Sequence, residues 1–153
     1  EAFLFGMQFD PDTLAELLQI RIWLEVAVIG DAVEHIGKDE ITKLEALLAT
    51  WEQRIRAGEE YSDLDESFHE IIYGVLENQS LMKLFSVFWV SFTSLDNEII
   101  HDPDPENVIA FHKSILEAIK TRDPSLVRKQ LLQHFDHVKE RINRYLASVD
   151  AGK

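Results

Sequence analysis

The chain has 153 residues, 46% hydrophobic and 28% charged, enough for one buried core and unlike a disordered segment. Its 28 acidic residues against 15 basic ones give a formal net charge of −13, and a surface of that sign repels phosphate backbones, which argues against direct nucleic-acid binding. Cysteine is absent, which removes disulfides, thiolate catalysis and zinc–thiolate centres, and no apolar run reaches the ~18–20 residues of a membrane span.

Residues 1–10 are apolar but lack the basic start and cleavage signature of a secretory leader. The chain opens on Glu1 without an initiator Met, which points to a piece of a longer or processed protein. Residues 1–10 then read as an N-terminal linker remnant and 11–150 as a single domain, with a cytoplasmic location expected. Apolar residues recur at helical spacing throughout and no segment alternates as a strand does. All 4 prolines follow aspartate, and three of these pairs, Asp10-Pro11, Asp104-Pro105 and Asp123-Pro124, read as an N-cap followed by the first helical residue.

Six helices are expected. The first covers about 12–36 and stops at Gly37, with an apolar stripe of Leu14, Leu17, Leu18, Leu24, Val28 and Ile29. The second covers about 39–57, stopped by Gly58. After an acidic loop, Ser62 is the expected cap of a third helix that Asn78 closes. The fourth, about 81–100, is apolar nearly all round (Leu84, Phe85, Phe88, Trp89, Phe92, Leu95, Ile99), the pattern of a central helix. The fifth covers about 105–120 and the sixth 124–149. Short connections favour antiparallel neighbours, so the fold class is an all-α antiparallel bundle.

Asp65 and His69 stand four apart on a helix and face the same way, on the side continued by Ile72 and Leu76. Among the 6 histidines, His112 has apolar neighbours at minus three and four and plus three and four, and His134 has Leu131 and Val138. Both therefore face inwards. His137 is expected in solvent, His101 at a helix end, and His35 near the end of the first helix, where an imidazole suits the dipole. One inward histidine is usually a satisfied core residue. Three of them with an aspartate, converging from three helices, are the usual kit for a first-row divalent metal. Asp65, His69, His112 and His134 would supply three nitrogens and one oxygen, suiting zinc first, with nickel, manganese or iron also compatible. Arg21 lies on the stripe of the first helix. It would either pair with Glu25 at i,i+4 or face the same cavity and grip a carboxylate bidentately.

These residues resemble the FCD domain, the C-terminal effector-binding domain of FadR-type regulators in the GntR family of bacterial transcription factors. Arg21-Ile22-Trp23-Leu24-Glu25 is similar to the family's opening Arg followed by Leu-Glu, and Asp65 to His69, with Phe68 before the histidine, to its Asp-x-x-Phe/Leu-His motif. Glu77-Asn78 corresponds to a small-residue-Asn turn. His112, Ile115, Ala118, Ile119 and Asp123 follow a later pattern, and the last histidine falls at His134. The likeness covers roughly 12–145. Departures are Glu77, where a small residue or Gly is usual, and Val127 in place of Ala. The resemblance implies a divalent metal on Asp65, His69, His112 and His134, a small organic acid beside it contacted by Arg21, and no catalysis. It also implies a homodimer that reaches DNA only through a winged helix–turn–helix that this chain does not encode.

Two other readings start from the same residues. Glu66-x-x-His69 and Glu98-x-x-His101 both have the i,i+3 spacing that di-iron carboxylate enzymes use twice. A structural or interaction bundle with partnered core histidines would bind neither metal nor acid.

Overall fold

Apolar stripes and caps together decide where helices form in this chain. The structure, a computed structural model, describes residues 11–93 and 104–151. Among these residues are six helices and no strand: α1 (Pro11–His35), α2 (Lys38–Ala57), α3 (Ser62–Gly74), α4 (Gln79–Thr93), α5 (Pro105–Thr121) and α6 (Pro124–Ala151). The all-α expectation holds. None of the helices is long and apolar enough to cross a membrane.

The aspartate–proline signals work as expected where they are described. Asp104 Oδ1 accepts from the Asn107 N–H at 3.1 Å, and Asp123 Oδ1 accepts from the Ser125 and Leu126 N–H groups at 2.9 and 3.3 Å. Asp10 lies outside the described residues. α2 ends at Gly58 in the left-handed region, φ +70°, with its N–H and that of Glu59 donating back to the Ile55 and Arg54 carbonyls.

α1 ends at His35, within a residue of its expected end, and Gly37 stands extended ahead of α2, donating its N–H to Glu40 Oε2 at 2.9 Å. Two boundary expectations and one of placement are corrected. Ser62 is not the cap of α3. Glu60 Oε1 takes that role by accepting from the Tyr61 and Ser62 N–H groups, at 3.0 Å each. Asn78 opens α4 rather than closing α3, because its Oδ1 accepts from the Leu81 N–H at 3.1 Å. Nor is α4 central: it packs on α1 and α3 along one side, leaving Leu84 and Val90 nearly half exposed. Leu95 and Ile99 of that expected helix lie outside the described residues. Glu77 has φ +51°, a left-handed conformation that costs a non-glycine residue ~1–2 kcal/mol, which accounts for a small residue or Gly being usual there.

Five helices form a closed ring. α1 packs on α6, α6 on α5, α5 on α2, α2 on α3, and α3 on α1 again, with α4 laid against α1 and α3. Trp51, Phe68, Tyr73 and Phe135 fill the interior and are fully buried, each such side chain contributing ~1.5–3 kcal/mol of hydrophobic stabilisation. The buried face of α1 reads Leu14, Leu18, Arg21, Glu25, Ile29, Ala32 and Ile36, at spacings of three and four. Two charged residues therefore sit on the core face of α1. At the far end of that helix, Arg122, itself left-handed at φ +61°, donates from Nη1 to the Val33 and Ile36 carbonyls at 2.8 and 2.5 Å. Those carbonyls have no later turn of helix to bond to, so the guanidinium completes the end of α1.

Candidate metal centre

Four of the five ring helices send a polar side chain to one point, and α2 adds Trp51 beside them. α3 carries Asp65 and His69 on one face, α5 carries His112 and α6 carries His134. One ligating atom from each of these four residues lies within 4.8 Å of all the others. The ring centroids of His112 and His134 are 4.5 Å apart, those of His69 and His134 5.5 Å, and those of His69 and His112 5.8 Å. All three imidazoles are buried, while the Asp65 side chain keeps 22% of its surface exposed. The four ligand candidates predicted from spacing are thus together, and Arg21 lines the same cavity.

Hydrogen bonding fixes which ring nitrogens are available. His112 Nδ1 bonds the Val108 carbonyl at 2.8 Å, and a carbonyl can only accept, so Nδ1 carries the hydrogen. Nε2 therefore turns toward Asp65 Oδ1, 3.0 Å away, and in a neutral imidazole it would bring a bare lone pair there. Two lone pairs at that distance repel unless a proton or a metal cation stands with them. His69 repeats the pattern: Nδ1 donates to Glu25 Oε2 at 3.0 Å, while Nε2, 3.5 Å from Asp65 Oδ1, has no hydrogen-bond partner. His134 Nδ1 is also buried without one. These orphaned nitrogens and the facing carboxylate fit a divalent cation, and three nitrogens with one oxygen match a four-coordinate zinc donor set.

The electrostatics agree with that donor set. Burial would raise the Asp65 carboxyl, but the imidazoles of His112 and His69 hold it well below the usual carboxylate range. Burial pushes His134 well below its ordinary value, with His112 and His69 adding to the effect, so His134 is neutral at pH 7, the form that ligates. For His69, burial works downwards and is outweighed by Glu25, which raises it.

Glu25, expected only as an i,i+4 partner of Arg21, is buried beside the cluster. It is 1% exposed, and its Oε1 accepts from Arg21 Nε at 2.6 Å while Oε2 accepts from His69. Burial would raise its pKa, yet the charges of His69 and Arg21 lower it to about 2. The two placements expected for Arg21, beside Glu25 and on the cavity, are not exclusive. It pairs with Glu25, but in the core rather than on a wet surface, and it faces the cavity with Nη2 buried and lacking a hydrogen-bond partner. Its guanidinium carbon lies 4.4 Å from the centroid of the Trp89 ring and 5.4 Å from that of Phe135, a cation–π arrangement. The signal for Glu25 was in the sequence, because the three–four spacing of the α1 stripe runs through position 25.

The cavity encloses about 40 Å³ and is lined by Arg21, Asp65, Trp89, His134, His137 and Arg141 among others. At ~10–15 Å³ for each water, that is room for an ion and a few small groups. His137, expected in solvent, is half-buried on this wall with its ring 5.1 Å from that of Phe111. It was misjudged because its apolar neighbours lie on α5, not on its own helix. Arg141, one turn beyond, lies on the same wall. Glu66 is half-buried and outside the four-residue cluster, while Glu98 and His101 lie outside the described residues.

A helical ring closed round a cluster of three histidines and an aspartate defines an all-α ligand-pocket domain. Residues 16–137 match the FCD domain, and the chain belongs to that family. Among similar proteins is an uncharacterized HTH-type transcriptional regulator, YdhC, of Bacillus subtilis, 26% identical over 143 residues covering 86% of this chain and 60% of that protein. Another is the Uxu operon regulator of Haemophilus influenzae, 26% identical over 133 residues covering 83% of this chain and 50% of that protein. The chain thus spans between half and three-fifths of the length of these relatives. Of solved structures, Streptococcus agalactiae GntR matches with a TM-score of 0.73 at 23% identity, over 88% of this chain and 62% of that one, which shows the shared fold.

Proposed function

We propose that this domain is the effector-sensing part of a GntR/FadR-type transcriptional regulator, holding a divalent metal through Asp65, His69, His112 and His134 and taking a small carboxylate beside it. The observation that carries this reading is His112 Nε2 turned onto Asp65 Oδ1 at 3.0 Å while Nδ1 is committed to the Val108 carbonyl, with two further orphaned imidazole nitrogens beside them. The bound metal would supply a positive centre for an acid's oxygen, and Arg21, whose Nη2 lacks a hydrogen-bond partner, would take the carboxylate. A cavity of about 40 Å³ favours small acids over long-chain ones. DNA would be reached through a separate segment of the regulator in a dimer, since a net charge of −13 repels it here. The domain performs no chemistry in this reading.

The test is metal content of protein purified without chelator, followed by thermal-shift screening of small carboxylates with and without metal. One metal per chain is expected, with carboxylates raising the melting temperature only in the metal-loaded protein. Metal-free protein that takes up no added zinc, nickel, manganese or iron would overturn the reading. Two irons per chain would favour the di-iron alternative.

A further inference from the structure

Glu25 belongs to no metal-ligand set, yet its carboxylate hydrogen-bonds both Arg21 and a metal-ligand candidate. Its two oxygens are divided: Oε1 accepts from Arg21 Nε at 2.6 Å and Oε2 accepts from His69 Nδ1 at 3.0 Å. At 1% exposure it has no water to replace either partner. The bond to Nδ1 dictates the His69 tautomer. With the hydrogen held on Nδ1, the lone pair sits on Nε2, the nitrogen that faces Asp65 and lacks a hydrogen-bond partner.

We infer that Glu25 is a positioning residue shared by the two halves of the site: it orients His69 for the metal, and it couples metal binding to capture of the effector carboxylate by Arg21. The inference rests on the metal-and-carboxylate reading above. An acid that draws on the Arg21 guanidinium weakens that group's hold on Glu25, leaving more of the carboxylate's charge to the His69 N–H and making Nε2 a better donor. Metal and acid therefore bind with positive cooperativity, and linkage makes the effect reciprocal. A buried ion pair that only held α1 in place would give no such coupling.

Cobalt(II) is a suitable probe, because its visible absorption reports ligand geometry while titration gives affinity. Chelator-treated wild-type chain is compared with Glu25→Gln, Arg21→Gln and the double variant Arg21→Gln/Glu25→Gln. The double variant removes both buried charges and so guards against simple misfolding of Glu25→Gln. Glu25→Gln and the double variant should bind cobalt ~10–100-fold more weakly than wild type, with an altered spectrum. Arg21→Gln should bind cobalt at least as tightly as wild type, because Glu25 then serves His69 alone, while losing the effect of added citrate or lactate on cobalt affinity. A folded double variant with wild-type cobalt affinity would overturn the assignment, as would an Arg21→Gln loss equal to that of Glu25→Gln, the signature of a merely structural pair. A wild-type chain that binds no cobalt would instead remove the metal reading itself, so the two failures are distinguishable.

Discussion

On the α1 side of the cavity, Glu25 meets Arg21 at 2.6 Å and His69 at 3.0 Å, so a buried negative charge has a positive partner and a donor for each oxygen. On the α5–α6 side, His112 Nε2 faces Asp65 at 3.0 Å and His134 Nδ1 faces no hydrogen-bond partner. Both oxygens of the first carboxylate have protein donors. In the proposed reading a cation completes the second network. Unsatisfied polar atoms in a core cost ~1–3 kcal/mol each, which supports the proposal that this side holds a ligand. The first network would then brace the ring while the second serves the ligand.

The largest test of that contrast acts on the α1 side. Glu25→Ala strands the buried Arg21 charge, so urea unfolding of metal-free protein should show a loss of ~3–5 kcal/mol. Acid reports the same network. The Glu25 carboxyl lies at about 2 in the folded chain against an ordinary 4.5, so its stabilisation is full above pH 4.5 and is lost as the pH falls towards 2. The wild-type unfolding free energy should therefore fall over that window by ~3 kcal/mol more than that of Glu25→Gln. On the α5–α6 side, His112→Ala should weaken zinc binding by more than ~100-fold by calorimetry, exceeding what loss of a supporting residue costs. The smallest effect is the sharpest. Asp65→Asn puts an amide donor opposite His112 Nε2, so metal-free stability should change by less than ~1 kcal/mol, in the stabilising direction, while metal binding is lost. If Asp65→Asn instead destabilises metal-free protein as much as Glu25→Ala does, the two sides are not different in kind.

Most of the fold was legible because its signals are local. Periodicity placed the helices, and Asp104 and Asp123 cap where aspartate before proline predicts. Spacing also turned Asp65, His69, His112 and His134 inwards, because each has apolar neighbours a turn away on its own helix. What stayed hidden depended on neighbours supplied by other helices. Glu25 looked like a surface partner because charge is a poor sign of burial, although its position on the stripe marked it. His137 looked solvated because Phe111 comes from α5. The apolar girth of α4 suggested a central place, yet Leu84 and Val90 face outwards, since the ring closes without that helix. Asn78 and Ser62 exchanged roles with neighbouring residues because cap identity depends on which oxygen reaches the free N–H groups.

The grip of Arg122 on the Val33 and Ile36 carbonyls has a mechanical consequence. It pins the C-terminal end of α1 to the α5–α6 corner, which makes that end a fulcrum. Arg21 stands ~22 Å along the helix from this pivot and Pro11 ~37 Å along it, at a rise of ~1.5 Å per residue. For a rigid α1, a sideways shift of ~1 Å at Arg21 becomes ~1.7 Å at Pro11. The helix is a lever whose short arm ends at the cavity and whose long arm ends where the chain enters the domain.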